Sequence, residues 1–268
     1  MDKKISVLMG IYNCASTLEQ AVEAIRNQTY SNWELILCDD GSSDETYSVA
    51  EQLAKKESRI ILIKNEKNLG LNKTLNNCLK VASGDYIARM DGDDDCDPRR
   101  FEIQIDFLEK QNEFDIVSSA MIFFDEEGEW GRNYVKEYPQ PEDIIKGSPI
   151  CHAPVMMRKA CMEQVHGYTE DVRMLRVEDV NLWIKLYAAG FRCYNIQEPL
   201  YKMRNDKNAF NRRKYKYRIN SVYTRLQGCK LLNLGVKYYL YACTPMIIGL
   251  VPARLRQLLR RGQQKRNK

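Results

Sequence analysis

Within the first ninety residues, short apolar runs alternate with segments of helical periodicity, and no other feature narrows the possible folds as far. Ile5–Ile11, Trp33–Cys38, Ile60–Ile63 and Tyr86–Met90 have strand length and read as four strands. Leu18, Ala21, Val22 and Ile25 fall at i, i+3, i+4 and i+7, one apolar helical stripe. Ser16-x-x-Glu19 and Ser42-x-x-Glu45 have the spacing of a capping box, predicting that helices open there, the second running to about residue 56. A third helix is expected over 71–82, ending at Gly84. The order β-α-β-α-β-α-β, with strands apolar on both faces, predicts an α/β fold: a mostly parallel, Rossmann-like central sheet flanked by helices. In such sheets ligands bind beyond the carboxyl ends of the strands.

The polar residues collect in the loops at those ends. They are Tyr12-Asn13 after the first strand, Asp39 to Asp44 after the second, Asn65 to Lys73 after the third and Asp91 to Pro98 after the fourth. No G-x-G-x-x-G and no G-x-x-x-x-G-K-[ST] occurs, so neither a dinucleotide fingerprint nor a P-loop is supported. Five aspartates at 91, 93, 94, 95 and 97 repel one another unless a cation or water relieves them. Asp91, Asp93, Asp95, Asp97 and Glu102 match positions 1, 3, 5, 7 and 12 of a calcium loop, but Cys96 stands where that loop needs glycine, and a strand precedes it. A solvated turn with Asp97 capping a helix that begins at Pro98 is a second reading. The third is a Mg2+ or Mn2+ site of one or two carboxylates completed by the phosphates of a nucleotide.

Charge divides the chain. Of its 41 Lys and Arg and 36 Asp and Glu, 18 basic residues but only Asp206 follow Leu200, so residues 201–268 carry +17 and the first 200 carry −12. The nine cysteines form no C-x-x-C pair and no zinc spacing, and read as reduced thiols packed as small hydrophobes, which points to a cytosolic face. The N-terminal apolar run is short and reads as a strand, not a signal peptide. Residues 238–253 are uncharged, shorter than the ~20 residues that span a bilayer, and interrupted by Pro245 and Pro252. Ile248, Val251, Leu255, Leu258 and Leu259 then form an apolar stripe, with Arg254, Arg256, Arg260 and Arg261 away from it, the pattern of an interfacial helix on an anionic membrane. Nucleic acid would explain the Arg/Lys/Tyr-rich stretch 201–225 but not the apolar run, so none is expected. A basic helical subdomain packed on the acidic body or on a partner chain is the remaining alternative.

The segments VLMGIYN, QTYSNWELILCDDGSSDET, NLGLNKTLNNCLKVASGDYIARMDGDDDCDP and VEDVNLWIKL, in this order, resemble the family-2 inverting glycosyltransferases of GT-A fold, especially the bacterial enzymes of capsule, O-antigen and exopolysaccharide assembly. The resemblance covers about residues 4–203. It implies a GT-A domain over 1–203, with a nucleotide-binding half to about 98 and an acceptor half over 99–203, followed by a basic, helical, membrane-associating tail over 204–268.

The resemblance also implies roles. In Asp91-Gly92-Asp93, Asp93 would be the main ligand of Mg2+ or Mn2+ and Asp91 would face the ribose or share the metal. Asp40, with Asp39 beside it, would accept a hydrogen bond from the base, and Tyr12 would stack on it. Lys73 lies where a basic group often approaches the phosphates. Asp179 would be the general base and Glu178 an acceptor-binding or orienting group. By position alone, acids in the first turn of a helix are common as dipole complements. His152 is read either as a further metal or phosphate contact or as a hydrogen-bonded interior residue, Trp130 as a candidate acceptor platform, and Trp183 as core. The expected activity is inverting transfer from a nucleotide-diphosphate sugar, UDP favoured, to a lipid-linked or growing glycan at the cytoplasmic membrane face. The alternatives are transfer to a protein acceptor and a non-catalytic nucleotide- or divalent-ion-binding peripheral membrane protein.

Overall fold

The computed structural model describes residues 3–133, 135–205 and 215–250. The N-terminal half alternates as expected: β1 (Ile5–Ile11), α1 (Ala15–Arg26), β2 (Trp33–Asp39), α2 (Thr46–Lys56), β3 (Ile60–Lys64), α3 (Leu71–Val81) and β4 (Tyr86–Arg89). A two-residue strand β5 (Asp95–Cys96), helix α4 (Arg100–Lys110), hairpin β6 (Ile116–Asp125) and β7 (Gly128–Asn133), α5 (Pro141–Lys146), β8 (Met156–Arg158) and α6 (Lys159–Gln164) follow. A 3-10 turn over Val172–Met174 then leads into α7 (Glu178–Ala188) and the long β9 (Cys193–Arg204). In the basic region the described elements are α8 (Lys216–Leu231), α9 (Lys237–Ala242) and α10 (Thr244–Leu250).

One sheet runs β3-β2-β1-β4-β8-β6-β9-β5, with β7 attached to β6. β3, β2, β1 and β4 are mutually parallel, so their carboxyl ends and following loops share one edge. Beyond β4 the pairing is mixed: β8 runs antiparallel to both β4 and β6, whereas β6 and β9 are parallel. Alternating side chains of β1 show why both faces had to be apolar. Val7 and Met9 pack with Leu18, Val22 and Ile25 of α1, and Leu8 packs with Leu75 and Cys78 of α3 and Trp183 of α7. Seven cysteines are buried free thiols, as the composition suggested.

The helix starts differ from the capping-box expectation. α1 begins at Ala15, ahead of Ser16, because its first amides are satisfied by the neighbouring loop: the Cys14 amide donates to Thr46 Oγ1 at 2.8 Å and the Ala15 amide to Asp44 Oδ2 at 3.3 Å. α2 starts at Thr46 rather than near Ser42, where Asp44 Oδ1 accepts the Thr46 amide at 3.0 Å. A cap can come from another element, which local spacing does not reveal. Asp97 does cap the turn before α4, accepting the Arg99 amide at 2.8 Å.

α8 lies on α5 and α7. Its Gly228 passes so near them that an added Cβ would sit 2.5 Å from Ile184 Cδ1 and 3.0 Å from Ile145 Cδ1. Cys229 and Ala242 are fully buried, while α9 and α10 leave Leu240, Ile247 and Ile248 75%, 65% and 50% exposed. Among the described residues no helix is long and apolar enough to cross a membrane. Of the expected interfacial stripe only Ile248 falls on described residues; Val251, Leu255, Leu258, Leu259 and the arginines from 254 to 261 lie outside them.

Candidate functional site

The adjacent aspartates that end β2 do different work. Asp40 is filled: Oδ1 accepts Asn65 Nδ2 at 2.9 Å and the Leu69 amide at 2.8 Å, and Oδ2 accepts the Gly70 amide at 2.9 Å. It therefore ties the end of β2 to the loop that opens α3. Asp39 is fully buried; Oδ2 accepts the Ser42 amide at 3.2 Å, and Oδ1 has no hydrogen-bond partner. Gly41 permits this arrangement: its φ is +69°, and a Cβ there would lie 2.7 Å from the Lys67 carbonyl carbon.

Beside this pair a cavity of about 310 Å3 opens between the ends of β1 and β2, the start of α3 and the turn before α7. Tyr12, Asp40, Asn68, Asn72, Arg176 and Glu178 contribute its polar lining. Tyr12 is half exposed. Lys73, on α3, is not among the lining residues.

The acidic loop follows β4 directly. Asp94 is buried and held from both sides: Oδ2 accepts the Tyr201 hydroxyl at 2.8 Å and Oδ1 the Arg204 amide at 2.8 Å. Burial, and then the charges of Asp91 and Asp93, push its carboxyl well above the usual range. Asp91 and Asp93 remain half-buried. A cation beside them would relieve this crowding, and a shell completed by phosphate oxygens needs only one or two of these side chains. Arg89, immediately before the loop, is buried and ion-paired to Asp91 Oδ1, with its Nε lacking a partner. Burial opposes its charge, but Asp91, Tyr168, Tyr201 and Asp94 outweigh that and raise its pKa. The buried Arg100 supports Arg89 from behind, its Nη2 donating to the Arg89 carbonyl at 2.8 Å.

Glu178 and Asp179 form the first turn of α7. Glu178 reaches the cavity, whereas Asp179 lies near Cys151 and Arg225, its Oδ1 accepting the Val180 amide at 2.8 Å. Burial raises both carboxyls above their ordinary range; Asp179 adds to the effect on Glu178, and Arg89 partly offsets it at both. His152 sits close by with Nε2 at 2.8 Å from the Tyr168 hydroxyl and its ring edge-on to Trp183. Burial, with Arg89 second, holds its pKa well below normal, so it is neutral. Trp183 is core, and Trp130 stacks on Phe123 in the β6–β7 hairpin.

Sequence reasoning missed Arg89, Arg100, Tyr201, Arg176 and Tyr217. Arg89 carried a signal, a cation closing an otherwise apolar strand two residues before Asp91. The other four come together only through tertiary packing.

The model of glycosyl transferase family 2 matches residues 6–166. EpsE of Bacillus subtilis (strain 168), named as a glycosyltransferase, is 46% identical over 251 residues, covering 93% of this chain and 90% of its own. The UDP-Gal:alpha-D-GlcNAc-diphosphoundecaprenol beta-1,3-galactosyltransferase of Escherichia coli is 34% identical over 230 residues, covering 82% and 81%. Among solved structures, the mannosyltransferase PcManGT of Pyrobaculum calidifontis in complex with GDP-Man and Mn2+ superposes with a TM-score of 0.63 at 17% identity, covering 98% of this chain and 80% of that one. The fold is thus that of the GT-A glycosyltransferases.

Proposed function

The chain belongs to glycosyl transferase family 2, and we propose that it is an inverting enzyme that moves a sugar from a nucleotide-diphosphate donor to a hydroxyl of a lipid-linked or growing polysaccharide. The observation that carries this reading is the convergence, on one sheet edge, of a cavity lined by Tyr12 and Asp40 with the buried Asp39 beside it, a crowded acidic loop, and a half-buried acid pair at the start of α7.

In this reading the base of the nucleotide stacks on Tyr12 and donates to Asp39 Oδ1, whose lack of a partner a ligand would end. Asp40 shapes the loop around it. Asp93 and Asp91 would hold Mg2+ or Mn2+, which when bound would supply Lewis-acid stabilisation of the departing phosphate. Arg89 keeps Asp91 in place. Asp179 takes the proton of the attacking acceptor hydroxyl, and Glu178 orients the reacting groups. A single base with in-line attack inverts the anomeric centre. His152 has its Nε2 engaged by the Tyr168 hydroxyl, which supports its role as a brace for this region rather than a metal ligand. Lys73 would reach the phosphates only by swinging toward the cavity.

UDP is the favoured donor nucleotide, since the E. coli relative is named for UDP-Gal, and that relative's diphosphoundecaprenol acceptor supports a lipid-linked acceptor here. The +17 of residues 201–268 and the exposed apolar side chains of α9 and α10 support a peripheral position on the cytoplasmic face of an anionic membrane. Transfer to a lipid-linked acceptor, assayed with a panel of UDP-, GDP- and dTDP-sugars with and without Mn2+, tests the reading. Asp93→Ala and Asp179→Ala should each abolish product, and full activity in Asp179→Ala would overturn the assignment of the base.

A further inference from the structure

The far wall of the donor cavity comes from outside the stretch that matches the family model. Leu175 and Arg176 from the turn before α7, Glu178 from the first turn of α7, and Tyr217 from α8, close it. Among the described residues that line the cavity, Arg176 is the one cation. The acids facing the same space are Asp40, whose oxygens already accept three hydrogen bonds, and Glu178. Arg176 is exposed and has no carboxylate at ion-pair distance among the described residues.

Its backbone is left-handed, with φ of +64°, a conformation an arginine adopts only where its surroundings impose it. α8 imposes it. Asn220 Nδ2 donates to the Leu175 carbonyl at 3.1 Å, and Thr224 Oγ1 lies 3.6 Å from Met174 Sδ. Arg173 Nη1 donates to the Tyr223 hydroxyl at 3.0 Å, with its guanidinium 4.6 Å over that ring. Asn220, Tyr223 and Thr224, at i, i+3 and i+4 on one face of α8, thus hold the segment that presents Arg176 to the cavity.

We infer that Arg176 binds the diphosphate of the nucleotide-sugar donor, and that α8 is a positioning helix that keeps it there; this rests on the cavity being the donor site proposed above. A planar guanidinium suits paired phosphate oxygens, and strain kept at a cavity wall marks a position selected for what it presents.

Titration calorimetry on the full chain tests this, using UDP, GDP and dTDP with Mn2+ and the matching nucleosides, against Arg176→Gly and Arg176→Gln. Glycine takes φ of +64° freely, so Arg176→Gly should melt no lower than the wild type, which separates binding from folding. Both variants are expected to bind the preferred diphosphate at least about tenfold more weakly, with nucleoside affinity unchanged. Undiminished diphosphate affinity in either variant, or equal losses for nucleoside and diphosphate, would overturn the inference. If the wild type binds none of the three diphosphates, the donor reading fails and the inference falls with it.

Discussion

Asp39 and Asp40 are neighbours in sequence, yet the structure requires opposite results from the same substitution. In Asp40→Asn the amide retains one carbonyl oxygen for Asn65 and the Leu69 amide, but turns its NH2 toward the Gly70 amide, where Asp40 Oδ2 now accepts at 2.9 Å. One charge-assisted bond is lost, the other two weaken, and two donors are left facing each other. At about 1.5–3 kcal/mol for a bond to a charged group, the total comes to about 2–4 kcal/mol. For a chain of this length that is a fall of roughly 5–10 °C in melting temperature. In Asp39→Asn the carbonyl oxygen can keep the Ser42 amide, and the position that becomes NH2 is the one without a partner. Removing a buried charge with an unsatisfied oxygen costs the fold little, so the melting temperature should move by no more than ~2 °C. Nucleotide affinity should instead fall 10- to 100-fold, the value of one charge-assisted bond to the base. Differential scanning fluorimetry with and without the preferred nucleoside diphosphate reads both quantities. An Asp39→Asn protein that melts far lower, or binds nucleotide as the wild type does, would refute the division of labour.

Three further outcomes follow from the same geometry. Burial raises the Asp179 carboxyl, so the folded chain holds its proton to higher pH than the unfolded chain; stability should fall as pH rises from the unfolded to the folded pKa, while kcat climbs through the upper part of that window as the base ionises. Asp179→Asn should flatten Asp179's share of both profiles and lower kcat by about 10^2–10^4 with donor KM little changed; pH-resolved kinetics and melting curves check this. Gly228→Val places methyl groups against Ile184 and Ile145, where even a Cβ would come within 2.5 Å, and should cost about 1–3 kcal/mol while also weakening donor binding, since α8 anchors Leu175. Thermal melts paired with donor KM decide, and unchanged KM in a destabilised protein would uncouple α8 from the site. Leu240→Asp/Ile247→Asp should reduce flotation on anionic vesicles by at least about tenfold, because each side chain buried in lipid is worth about 1.5–3 kcal/mol; equal flotation would argue against docking by this face.

The first four strands were legible because each is a short apolar run bounded by turn residues; β1, β2 and β4 are buried on both faces, while β3, at the sheet edge, is mostly half-buried. The second half of the sheet was harder to read. β8 has three residues and β5 two, below the length at which an apolar run can be told from a loop, and β9 runs through Gln197, Glu198 and Pro199 with two register shifts against β6. The helix starts were misplaced because a capping box is a local pattern, whereas α1 takes its cap from Asp44 and Thr46 across the loop.

The site divides along the same physical line. Residues whose chemistry follows from their type and their place at a strand end could be found in the sequence: the acidic loop, the acid pair, Tyr12 and the Asp39-Asp40 pair. What distinguishes Asp39 from Asp40 is which oxygen already has a donor, and those donors come from residues 42, 65, 69 and 70. No spacing encodes that. The same holds for the basic region. As a sequence it divides from the body by charge, from −12 to +17, which suggests separate tasks. In three dimensions Gly228 seats α8 on α7, Asn220 anchors the turn that carries Arg176, and Tyr217 lines the cavity. A helix so placed has two faces with different constraints: one is fixed by the cleft it completes, and the helices that follow leave Leu240 and Ile247 to the outside. Membrane docking by α9 and α10 would therefore act through α8 on the geometry of the donor wall, so donor KM should respond to anionic vesicles in the wild type and lose that response in Leu240→Asp/Ile247→Asp. A donor KM indifferent to vesicles that the wild type demonstrably binds would show that the two faces work independently.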